Sequence, residues 1–213
     1  MYKRQDLDRQ VSRLQTEVIQ LRQQIREAQA LYALLDFARF RPENIYIASA
    51  VIGRDPSPFF HYIIIDHGSD DGIQHGMPVV TEQGLVGRID AVIAGAARVQ
   101  LLTDPASAVN VRLQSSQKDA MVVGSITGDL SLEMVSQDIA ISVGELIMTS
   151  GFGGNYPADL LIGQVTGVRK YETDLFQTAA IQPAFDFTNL KAVLVITNFK
   201  PVDITPLIST PAP

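Results

Sequence analysis

Ser150, within Thr149-Ser-Gly-Phe-Gly-Gly154, is a hydroxyl set beside glycines, and His61, His67 and His75 are the only imidazoles that could activate it. Hydrolysis by such a hydroxyl needs a base within hydrogen-bond reach, a carboxylate to orient that base, and donors for the oxyanion that develops. The local sequence does not favour this chemistry, because Ser150 lies in neither a Gly-x-Ser-x-Gly elbow nor a Gly-Asp-Ser-Gly run. The glycines that follow it read instead as positions needing positive backbone dihedrals and close turns. A metal site built on the histidines has equally little support. Their spacings of six and eight residues, without a helix to align them, match no ligand motif, and Asp66 and Asp70 read as solvated turn residues. Gly151 to Gly154 also lacks the Lys-Thr or Gly-x-x-Gly context of a phosphate cradle. No catalytic residue, no metal ligand and no cofactor is therefore assigned.

Composition narrows the remaining classes. A chain of 213 residues with 46% apolar and 19% charged residues has room for one large or two small globular domains. Net charge is −6 and no Lys/Arg cluster interleaves with aromatics, which argues against a nucleic-acid partner. There is no Cys, so neither a disulfide nor a thiolate ligand can form. No run of about eighteen apolar residues exists and the first ten residues are charged, so membrane attachment would need an anchor absent from this chain.

The elements that must position any functional surface begin with a long helix. Between Tyr2 and Arg41 there is no Gly or Pro, and apolar residues recur at Leu7, Val11, Leu14, Val18, Leu21, Ile25, Ala28, Tyr32 and Leu35. Steps alternating four and three make a 3.5-residue repeat, the signature of a left-handed coiled-coil seam. Leu at one seam position and β-branched residues at Val11, Val18 and Ile25 favour two parallel strands, with Glu17 and Arg22 able to pair between chains. The expectation is a parallel homodimer through residues 1–41, ended by Pro42. A helix of that length reaches about 55 Å and must project beyond a small domain.

From Asn44 onward the period changes to two. Val109, Val111 and Leu113 alternate with polar residues, as do Leu130, Leu132 and Met134, and about a dozen short strands are separated by turn residues. That pattern describes barrels or sandwiches. The strand region is also internally repeated. Gly76-Met-Pro-Val-Val-Thr81 followed by Gly84-Leu-Val-Gly87-Arg-Ile-Asp-Ala-Val92 is echoed by Gly144-Glu-Leu-Ile-Met-Thr149 and Leu161-Ile-Gly163-Gln-Val-Thr-Gly-Val168. Downstream, Pro105-Ala106 before Val109 matches Pro183-Ala184 before Val193. The expected organisation is a mainly β chain: helix 1–41, a first β-barrel at 44–116, a second at 117–199, and a Pro-rich tail at 200–213. Exchange of an edge strand between the barrels would move that boundary, and a groove between packed barrels is the natural binding place.

Six segments in order, Arg54-Asp-Pro-Ser-Pro-Phe-Phe60, Ile65-Asp-His-Gly-Ser-Asp-Asp-Gly72, Gly76-Met-Pro-Val-Val80, Gly84-Leu-Val-Gly87, Leu101-Leu-Thr-Asp-Pro105 and Thr149-Ser-Gly-Phe-Gly-Gly154, resemble the bacterial rod-shape-determining MreC family. The resemblance implies a membrane anchor ahead of the coil, a periplasmic or outer-surface location at the inner (plasma) membrane, and two six-stranded barrels. It further implies a scaffold that joins the MreB cytoskeleton and MreD to the penicillin-binding transpeptidase of cell elongation. One departure follows Pro157, where such sequences resume with a Gly-containing turn and this chain has Ala158-Asp159-Leu160.

Barrels of this kind are similar in architecture to chymotrypsin-like proteases, which makes a hydrolase the rival reading. An export-pump adaptor also joins coil to barrel, but through an antiparallel helical hairpin rather than one leading helix. Phe59 and Phe60 follow two prolines; aromatics so placed most often seal a barrel end, and the alternative makes them exposed anchors for a partner.

Overall fold

The computed structural model describes residues 2–55, 57, 59–170 and 175–202, and for helix residues 2–9, 12 and 27 the backbone alone. Tail residues 203–213 thus lie outside the described residues, as does the side chain of Leu7. The Gly- and Pro-free stretch forms one helix, α1 (Tyr2–Phe40). Twelve strands follow: β1 (Tyr46–Arg54), β2 (Tyr62–Ile65), β3 (Pro78–Thr81), β4 (Gly84–Ile93), β5 (Ala96–Leu101), β6 (Ala108–Leu113), β7 (Asp119–Gly124), β8 (Leu130–Ser136), β9 (Leu146–Thr149), β10 (Leu161–Arg169), β11 (Phe176–Pro183) and β12 (Ala192–Ile196). Each falls where alternation or a short apolar run predicts a strand.

The strands close into two six-stranded antiparallel barrels, in the orders β1-β12-β3-β4-β5-β2 and β10-β11-β8-β7-β6-β9. The internal repeat is real in three dimensions. Gly76 and Gly144 both take positive φ, 84° and 88°, before β3 and β9. Their N–H groups donate to Ile89 and Val165, at 2.8 and 2.7 Å. Gly87 and Gly163 are equivalent too: a Cβ on either would sit 1.8 or 2.2 Å from the carbonyl oxygen of the neighbouring strand, at Gln100 or Gln182.

The contiguous boundary expected at 116/117 is corrected. β6 belongs to the second barrel, where it lies between β7 and β9, and β12 returns to the first, where it lies between β1 and β3. The two closing strands are reciprocally exchanged. The physical reason is local for β6: the short 114–118 turn pins it antiparallel to β7 from Ala108↔Val123 to Arg112↔Asp119, so a cut at 116 divides a hairpin. A smaller correction concerns Met134, expected to face inward. The pairing of β8 with β11 shifts register here, Met134 takes φ 59°, and Val135 takes the buried place instead.

α1 leans on this body by its last turns. Leu34 is 2% exposed, and Phe37 and Ala38 pack on the same core. The Phe37 ring meets Tyr46 edge-on at 6.1 Å and lies under the Arg41 guanidinium. Arg41 Nη2 donates to the carbonyl of Asp159 at 2.7 Å, latching the helix end to the second barrel. Asp159 holds φ 62°, a left-handed conformation that residues other than glycine, asparagine and aspartate rarely adopt. After β12, Asn198 accepts the Ile45 N–H at 2.9 Å and donates to the Glu43 carbonyl at 2.8 Å, and Val202 N–H donates to Gly154 of the second barrel at 3.0 Å.

Because neither half holds all six strands of one barrel, separately expressed 44–116 and 117–199 are expected to show no dispersed NMR spectrum alone and to gain one on co-refolding. A native-like spectrum from either isolated half would contradict the exchange.

Candidate functional site

Ser150 is buried, its N–H donates to Asn110 at 3.1 Å, and its Oγ accepts the Phe152 N–H at 3.2 Å. Gly151, Gly153 and Gly154 take φ of 78°, 79° and 68°, so the glycines serve the turn, as their pattern predicts. Among the described residues no hydrogen bond joins Ser150 to a histidine. His67 Nδ1 meets Asp66 Oδ1 at 2.7 Å, and His75 lines a separate pocket. Burial pushes the Asp66 carboxyl up, but the bonds from His67 and from the Ala50 N–H outweigh it and hold the group below its ordinary value. No group of three or more His, Asp and Glu able to hold a metal ion occurs among the described residues.

His61 is a structural group. Its N–H donates to Asp104 Oδ2 at 2.9 Å and its Nδ1 donates to the Thr103 carbonyl at 2.7 Å, which fixes the tautomer. Asp104 is fully buried and also accepts from Gln100 Nε2 at 3.0 Å and from the Ala106 N–H at 2.9 Å. Three donors on one carboxylate organise the crossover from the first barrel into β6. In the sequence Asp104 is distinguished only by its place in Leu101-Leu-Thr-Asp-Pro105; an Asp before Pro at the end of a strand is the local signal of a side chain that binds turn N–H groups.

This crossover and its counterpart between β11 and β12 wall a groove of about 700 Å³ between the barrels. Phe60 and Tyr62 line one side, with rings 6.0 Å apart and 29° from parallel, and the Arg98 guanidinium lies 4.7 Å from the Tyr62 ring centre. Phe185 and Phe187 line the other, with ring centres 4.6 Å apart. Arg54 bridges the two sides, donating to the carbonyls of Phe187 at 2.8 Å and Leu190 at 3.1 Å. Phe59 and Phe60 are 61% and 53% exposed rather than sealing the barrel end, so apolar area remains open at the groove mouth. The Tyr62 hydroxyl is raised above its ordinary pKa, first by burial and then by the carboxylates of Asp104 and Asp90.

The second candidate surface is the helix seam. Val11, Leu14, Val18, Leu21, Ile25 and Leu35 are all exposed in the single chain. With 3.6 residues per turn, Leu34 and Phe37 point to the flank opposite the seam. The helix therefore docks on its own barrels by one face and leaves the heptad face, including Tyr32 and Leu35 next to the docked turns, unpartnered.

A projecting helix with an exposed heptad face, fixed to two barrels with a groove between them, defines a tandem-barrel protein with a leading helix. The model of the family described as "Rod shape-determining protein MreC, barrel core" matches residues 51–197, and the chain belongs to the MreC family, one of structural proteins rather than enzymes. The cell shape-determining protein MreC of Listeria monocytogenes is 30% identical over 193 residues, covering 88% of this chain and 64% of that protein. A solved MreC structure from Pseudomonas aeruginosa is 31% identical with a TM-score of 0.68, covering 72% of this chain and 99% of that one. A solved complex between Penicillin-Binding Protein PBP2 and MreC from Helicobacter pylori shares the fold, with a TM-score of 0.60 at 15% identity, over 72% of this chain and 98% of that one. The chain spans about half to two thirds of the length of the curated relatives it matches.

Two substitutions separate the surfaces. If the heptad face pairs two chains, the unaltered chain is expected to sediment as a dimer in analytical ultracentrifugation and Ile25→Glu as a monomer with the barrels' melting temperature unchanged, because the substitution places an unpaired charge in the seam. Asp104→Leu is expected to cost about 3 kcal/mol in denaturant unfolding, since it strips three donors, the Gln100 amide buried and the other two partly so, of their acceptor.

Proposed function

We propose that this chain is the extracytoplasmic part of a non-enzymatic scaffold of the cell-elongation machinery, which maintains rod shape. The coil pairs two copies in parallel and sets the barrels away from a membrane anchor that precedes it. The barrels recruit the penicillin-binding transpeptidase that synthesises peptidoglycan, and the anchored end connects to MreD and the MreB cytoskeleton. The observation that carries this reading is the division of α1 into two faces, one spent on its own barrels and one left open over the heptads. A helix needed only for the fold has no use for the second. The complex of PBP2 with MreC in Helicobacter pylori supports a penicillin-binding partner. The groove lined by Phe60, with exposed Phe59 next to it in the chain, is the surface best suited to take it, because exposed aromatics beside a concave, polar-rimmed cleft are what protein interfaces use as anchors.

Direct binding to the extracytoplasmic domain of the same organism's elongation transpeptidase tests this. Saturable binding by the chain but not by residues 1–41 is expected, weakened about tenfold or more by Phe60→Ser. No binding at high micromolar concentration would sink the wall-synthesis reading and move the export-adaptor one ahead.

A further inference from the structure

At the opposite end of β12 from the aromatic groove lies a second pocket, of about 760 Å³, that the scaffold reading does not use. It is walled by the turn before β3 (Gly72, Gln74, His75), by Arg88 of β4, by Asn155 of the second barrel, and by the segment Thr197 to Pro201 that leaves β12. Among the described residues Arg88 and Lys200 line it and no carboxylate does, in a chain carrying 23 acidic against 17 basic residues; His75 adds an imidazole. Among the described residues, Arg88 and Lys200 enter no ion pair.

Arg88 is prepared for a ligand. Its Nε–H donates to Gln100 Oε1 at 3.3 Å, and Gln100, itself buried, donates on to Asp104 at 3.0 Å. One edge of the guanidinium is thereby oriented by a buried network, while its terminal N–H groups find no acceptor among the described residues. A guanidinium fork matches the paired oxygens of a carboxylate or phosphate. Lys200 is held by its neighbours. Pro201 packs on Gly76, where a Cβ would lie 2.9 Å from the proline ring, and Val202 N–H is tied to Gly154 at 3.0 Å. The neutral donors Gln74, Asn155 and Thr197 complete the wall.

We propose that this pocket binds a small oxyanion, the phosphate or carboxylate group of a ligand, with Arg88 as its fork, Lys200 as a supporting charge and the His75 ring as a further hydrogen-bonding group. The site is independent of the transpeptidase groove. An NMR titration of the whole chain at constant ionic strength, with inorganic phosphate in one arm and glutarate in the other, tests it. Saturable shifts centred on Gly76, Arg88 and Lys200 are expected. Saturation by phosphate alone assigns a phosphate-bearing ligand, by glutarate alone a carboxylate-bearing one, and by both the shared oxyanion chemistry. Arg88→Gln and Lys200→Gln should each weaken binding about tenfold or more. Should Arg88→Gln disturb the fold, Lys200→Gln on the exposed strap decides. Non-saturating shifts in both arms, or affinity unchanged in a folded Lys200→Gln variant, would overturn the proposal.

Discussion

Strand β12 is hydrogen-bonded between β1 and β3, from Tyr46↔Ile196 on one side to Leu194↔Val80 on the other. Its counterpart β6 does the same between β7 and β9. A barrel that lacks one strand exposes two edges of unpaired N–H and C=O groups, so closure is what makes each unit stable in water. Here the first barrel is closed by β12, which follows the whole second barrel in the chain, and the second by β6, which directly follows β5 of the first. The two crossovers run past each other at the junction, and close approach follows: a Cβ on Gly124 would lie 2.3 Å from the Asp104 carbonyl oxygen, and one on Gly84 2.2 Å from that of Leu161. The groove between the barrels borders on this exchange, because both crossovers contribute to its walls, Thr103 from one and Ala184 to Thr188 from the other, beside Phe60 and Tyr62.

The same constraint fixes the helix. β12 carries the chain back to the start of β1, where Asn198 ties the link from α1 by two hydrogen bonds and Arg41 reaches across to Asp159. Leu34 and Phe37 then need only one flank of α1 to hold it. The heptad face is left free because the helix is anchored by its end.

A buried polar line runs through the first barrel from Arg88 through Gln100 and Asp104 to His61. Such a network is costly if incomplete and orienting if complete. Asp104 sits at its centre with three donors, and both pockets border its ends. Tyr156, buried near Arg88, has its hydroxyl pushed up to about 12 by that burial, with the guanidinium pulling modestly the other way.

The heptad from Leu7 to Leu35, the twelve strands and the repeat around Gly76 and Gly144 were legible in the chain itself, since each is written in local periodicity or in a backbone angle that glycine alone adopts cheaply. The family resemblance rested on turn motifs of that same local kind. Three things were decided elsewhere: which barrel β6 and β12 join, whether Phe59 and Phe60 face solvent, and that Arg88, His75 and Lys200 share a pocket. The reason is physical. Periodicity states which face of a strand is apolar, but ladder hydrogen bonds are made by backbone groups common to every residue, so the choice of neighbour is set by closure of the whole sheet.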